Sequence, residues 1–228
     1  MDERAIEDRL TTVERELGIG RKPDLRALGF WRVVGAVKTD PALVLRYADR
    51  IGRIDREAFR RAVPLHVPAF IGLGVLVIGL VVGLVILVLA PQLAHPWLEI
   101  ALLVGLGALD LTTHGLAHLV VGWLVGIRFS DWFVDLPSKP QPGLKVDYAS
   151  YLRTPARSRA WMHASGAIAT KLVPFVILAY ALVRGADTWA LVVIAVVGIL
   201  QIASDVLLSV KTSDWKKFRR EMKLARAT

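Results

Sequence analysis

Leu109-Asp110-Leu111-Thr112-Thr113-His114-Gly115-Leu116-Ala117-His118-Leu119 sets three ionisable side chains four residues apart inside an otherwise apolar run. Within hydrocarbon such a group costs from ~3 to ~10 kcal/mol or more, so it persists where it faces other protein groups or water. Asp110, His114 and His118 therefore mark a site. On a helix this spacing keeps all three on one face, drifting about 40° per step. The rise then separates them: His114 and His118 lie roughly 6 Å apart along the axis, close enough for two imidazoles to share one metal ion, whereas Asp110 and His118 are roughly 12 Å apart. Asp110 is thus a poor metal ligand, and fits better as an acceptor that orients His114 or as the owner of a separate interaction.

Working outward, the chain has 228 residues, 54% of them hydrophobic, with long apolar runs that no single water-soluble core explains. It reads as an all-α integral membrane protein. There is no cysteine, which excludes disulfides and thiolate metal sites and leaves His, Asp and Glu as metal donors. The formal charge of +9 sits beside the apolar runs, as the positive-inside rule expects, and gives no evidence for nucleic acid. The first 60 residues are polar and charged, so no cleavable signal peptide is expected and the first apolar run serves as an uncleaved signal anchor.

Residues 1–66 read as a cytoplasmic helical leader. Ile6, Leu10, Val13 and Leu17 recur at helical spacing among charges, predicting an amphipathic helix that ends near Gly18 and Gly20. From Pro23 to Arg61 two or three further helices are expected, one starting at Asp40-Pro41, where Asp caps and Pro suits the first turn. This leader is expected to pack on the membrane or on the cytoplasmic loop. Four spans follow, over about 67–89, 97–127, 160–183 and 188–210, each set against the roughly 20 apolar residues that cross a ~30 Å core. The first has no ionisable residue and reads as a lipid-facing anchor. The third carries His163, Lys171 and a kinking Pro174, and the fourth carries Gln201, Ser204 and Asp205. Residues 128–159 form a cytoplasmic loop and 211–228 a basic tail. The leader holds 14 Lys and Arg, the 128–159 loop six and the tail seven, against none in Pro91–Pro96, which predicts both termini in the cytoplasm.

The order and spacing of these pieces resemble the site-2 protease group of intramembrane zinc metalloproteases. His114-Gly115-Leu116-Ala117-His118, with the following Gly122 and Gly126-Ile127-Arg128, resembles that family's zinc helix. Ser165-Gly166-Ala167-Ile168-Ala169-Thr170 is similar to its Ala-Gly-Pro-x-x-Asn helix, and Asp205 stands where the family supplies a third ligand. The resemblance implies a site-2-protease-like core with zinc on His114, His118 and Asp205, and an open fourth position as in catalytic zinc sites. It also carries a departure. The family's general-base glutamate follows the first histidine, and here that residue is Gly115, so a base would have to come from elsewhere, with Asp110 the nearby carboxylate on that helix. The resemblance therefore implies either a pseudoprotease that binds a transmembrane client or partner subunit, or a divergent membrane hydrolase.

Other readings remain at this point. Asp110 and Lys171 are candidates for an intramembrane ion pair, and His163 and Thr170 for supporting the ligands. Haem held between His163 and His114 or His118 would make a redox protein, which needs the two histidines on opposite sides of a cofactor-sized gap. A non-metal assembly subunit is the blander choice. The tail Ser213-Asp214-Trp215-Lys216-Lys217-Phe218-Arg219-Arg220 interleaves aromatics and cations and suits either an anionic lipid surface or ordinary positive-inside flanking. The loop, with its prolines and aromatics, is expected to fold back on the cytoplasmic mouth of the site, where a protease relative would guide an extended substrate by strand addition.

Overall fold

The computed structural model describes residues 1–19, 24–135, 139–207 and 213–227, with only the backbone described at 135, 139–141 and 205–207. The chain packs as two compact units, Met1–Gly72 with Trp123–Ala156 and Leu224–Thr228, and Leu73–Gly122 with Arg157–Lys223.

The first unit is built on the leader. Helix α1 (Glu3–Gly18) is capped by the Asp2 carboxylate on the Ala5 amide and buries Ile6, Leu10, Val13 and Leu17, the four residues of the helical stripe. Helix α2 (Phe30–Val37) follows Gly29, whose φ of 74° puts it in the left-handed region that glycine tolerates. Helix α3 (Pro41–Ala62) starts as expected, with Asp40 accepting from the amides of Ala42 and Leu43 and Pro41 in the first turn. These helices close one apolar core with Phe30, Val33, Val37, Tyr47, Ile51 and Ile54, and Leu152 from the loop between the second and third long apolar helices joins it. The leader thus folds with that loop.

The loop itself adds strands to a mostly helical chain. Strands β1 (His66–Pro68), β2 (Phe129–Asp135) and β3 (Lys139–Val146) form an antiparallel sheet in the order β1-β2-β3. Helix α3 is pinned to this sheet by Arg60, 3.1 Å from the buried Asp131, and by Asp55, 2.5 Å from Lys145. A short helix, α6 (Tyr148–Arg153), is capped by Asp147, which also takes Arg56 of α3 at 2.6 Å.

The second unit holds the apolar helices α4 (Ala69–Leu89), α5 (Trp97–Leu124), α7 (Ala156–Val183) and α8 (Thr188–Leu207), and α9 (Asp214–Ala225) from the tail. Three of them, as Ala69–Gln92, Trp97–Leu124 and Ala156–Val183, are long and apolar enough to cross a membrane, and Thr188–Ser204 is a shorter apolar helix. Leu102, Leu106, Leu109, Ile177, Ala181 and Ile194 form their shared core. Helix α4, expected to face lipid alone, also turns a glycine face inward. A Cβ on Gly79 would lie 2.6 Å from Thr112 and one on Gly83 3.0 Å from Leu109, so the missing side chains let α5 approach closely.

Candidate metal centre

The four-residue spacing on α5 does bring His114 and His118 together. Their rings stack edge to face with centroids 4.7 Å apart. Both Nε2 atoms then point at the same oxygen, Asp214 Oδ2 at the start of α9, 3.4 Å from His114 and 3.3 Å from His118. One ligand atom from each residue falls within 4.8 Å of the others. His118 and Asp214 are well buried, with 13% and 17% of their side-chain surface exposed, and His114 keeps 43%.

The other face of each ring is fixed by an acceptor. His118 Nδ1 donates to the Met162 carbonyl at 2.7 Å, since a carbonyl can only accept. His114 Nδ1 lies 2.9 Å from Thr170 Oγ1, whose own hydroxyl donates to the Gly166 carbonyl at 2.9 Å, so here too the imidazole donates. Both rings therefore hold their proton on Nδ1 and present Nε2 inward, the arrangement by which neighbouring acceptors orient metal-binding histidines. A neutral ring in this pose sets an Nε2 lone pair against carboxylate oxygen, a repulsion that a proton or a cation between them would relieve. Two imidazolium rings would supply the protons at the cost of like charges at stacking distance, with Lys217 Nζ only 3.0 Å from Asp214 Oδ1. One divalent cation meets all three atoms at once. Burial disfavours the Asp214 charge; the Lys217 ammonium opposes that, and if the rings took up a second proton on Nε2 their hydrogen bonds would hold this carboxyl below the usual range.

Close approach also depends on a missing side chain. A Cβ on Gly166 of α7 would lie 2.3 Å from His118 Nε2, so only glycine leaves that ring its place.

The remaining predicted site residues are distributed as follows. Thr170 sits against His114. Asp110 Oδ2 accepts from Gln201 Nε2 of α8 at 2.6 Å, and Lys171 Nζ donates to the Ala167 carbonyl one turn back at 3.2 Å. His163 is buried on α7. Asp205 lies on α8, but its side chain is outside the described residues. Asp214 is the member of this cluster that spacing does not announce. It is 96 residues from His118 in a tail with seven cations, and its one sequence signal is being the sole acid there before Glu221. Compared with known proteins, the chain matches no family model, no curated protein and no solved structure.

Proposed function

We propose that the chain is a four-span membrane protein with both termini in the cytoplasm, that His114, His118 and Asp214 hold one divalent cation, and that it binds a membrane client or partner subunit without cutting it. The observation that carries this reading is the convergence of two Nδ1-anchored imidazoles on one carboxylate oxygen. Two histidines and a carboxylate are a donor set that would suit zinc. The fourth span is α8, whose 20 residues reach about 30 Å. With it, the cation-rich leader, loop and tail all fall on one side of the membrane.

The consequence lies in α9. Asp214 opens that helix, so filling the site fastens its first turn to α5, and Phe218 one turn on stacks against Trp161 of α7 at 5.5 Å. A bound cation would thereby add to the ties that already seat this helix, the Phe218–Trp161 contact and the buried Arg159–Glu221 ion pair at 2.7 Å, and its loss would loosen the first turn, leaving the basic tail freer to engage a partner or an anionic leaflet. Cutting is disfavoured because Gly115 offers no general base, a contribution typically of about 10²–10⁴ in rate. One observation supports the hydrolase as a second reading. Asp110 Oδ1, one turn before His114, is buried and without a hydrogen-bond partner among the described residues.

Limited trypsin digestion of the purified protein tests the seated tail. Cleavage at Lys216, Lys217, Arg219 and Arg220 is expected to be slow with zinc and at least about tenfold faster after chelation or in Asp214→Ala, since an open segment is cut in proportion to its population. Equal rates in all three samples contradict the reading. Cleavage of a transmembrane test peptide by the wild type, abolished in Asp110→Asn, would replace it with the hydrolase.

A further inference from the structure

The opposite end of α5 carries a second group of donors, and we propose that His95, Glu99 and Asp187 form a separate site for a divalent cation of the zinc class. The key residue is Glu99, a carboxylate with 0% exposure in the first turn of an apolar helix. Its Oε1 is saturated, 2.6 Å from His95 Nδ1 and accepting from the Asp187 amide at 2.9 Å. Its Oε2 is buried and has no partner among the described residues. An ionised carboxylate with one oxygen left bare in an apolar setting is costly, and a cation that displaces the His95 Nδ1 proton would take that nitrogen and the carboxylates as ligands together.

A cation supplies what Oε2 lacks. The Asp187 carboxylate stands 3.7 Å from His95 Nδ1, and one ligand atom from each of the three residues lies within 4.8 Å of the others. The donors come from three segments: the connection before α5, its first turn, and the residue preceding α8. His95 and Asp187 each leave 52% of their side-chain surface exposed, which gives an ion a way in. Leu98, Leu102, Ala186 and Ala190, beside these donors along the chain, are buried. One imidazole beside two carboxylates favours a borderline metal such as zinc over calcium or magnesium, which take oxygen donors.

This site does not depend on the first. Glu99 and His114 are fifteen residues apart on α5, about 22 Å along its axis, with Leu102, Leu106 and Leu109 of the apolar core between them. On the topology proposed above it faces the non-cytoplasmic side.

The test is calorimetric zinc titration of the full-length Asp214→Ala protein in detergent, in which the first site is disabled. About one equivalent is expected to bind, weakened at least tenfold by adding His95→Ala or Asp187→Asn, as loss of a ligand demands. Both positions are half exposed, so the variants are expected to fold, which thermal unfolding checks. No binding by folded Asp214→Ala, or binding unchanged in both double variants, overturns this site. If the wild type binds one equivalent that Asp214→Ala abolishes, the first site stands and this one falls; if Asp187→Asn alone abolishes it, the reverse holds.

Discussion

Gly166 and Thr170 show how much of the candidate metal centre rests on residues that bind nothing themselves. Ala at 166 should favour the helix by about 1 kcal/mol, yet its Cβ would occupy the space of His118 Nε2. Gly166→Ala is therefore predicted to lower zinc affinity about 10- to 100-fold, with the helix gain offset by the cost of displacing the ring, measured by metal titration beside a thermal melt. Thr170→Val removes the acceptor that fixes His114 and is predicted to act in the same direction by about tenfold, with the fold retained. At this scale the two histidines were legible, because ionisable residues four apart in an apolar run have few harmless explanations. Asp214 was not, since only tertiary packing returns a single acid in a basic tail to the histidines of α5.

Among elements, the leader was the most legible. The stripe Ile6, Leu10, Val13, Leu17 and the Asp40-Pro41 start are local signals, and both elements formed as their local chemistry dictates. The cross-helix ties were not local. Arg50 of α3 reaches Glu7 at 2.5 Å and Glu14 at 2.7 Å on α1, and its hydrogen bond holds the Glu7 carboxyl below its ordinary 4.5. A depressed carboxyl value means stabilisation that is present above about pH 4.5 and lost as the pH falls through the depressed value. Arg50→Ala is thus predicted to lower the melting temperature by about 2–4 °C at pH 7, with the gap to wild type shrinking in acid. The sheet escaped sequence reading for a similar reason. His66–Pro68 pairs with Asp131–Phe133, some 65 residues away, and the proline-rich stretch between β2 and α6 lacks the alternation that announces a half-buried strand. On α4 the glycines were visible but their partner was not. Gly79→Val, which forces a side chain into Thr112, is predicted to cost about 1–3 kcal/mol and to loosen α4 from α5, read as a lower thermal midpoint in detergent.

For the whole molecule, apolar length was legible in the sequence, and three of the expected spans form helices long and apolar enough to cross a membrane. The absence of native cysteine makes the topology directly measurable. Single cysteines at Arg4 and Arg226 are predicted to label only from the cytoplasmic side, and one at Ala94 only from the other. Labelling of 4 and 226 from opposite sides would remove α8 as a span. The most direct test of the central claim is elemental analysis of the detergent-purified protein, comparing wild type with His118→Ala, Asp214→Ala and Asp205→Ala. The account predicts that wild type and Asp205→Ala carry about one more zinc per chain than His118→Ala and Asp214→Ala, as a three-ligand site requires. Equal zinc in wild type and Asp214→Ala, or its loss in Asp205→Ala alone, would contradict it.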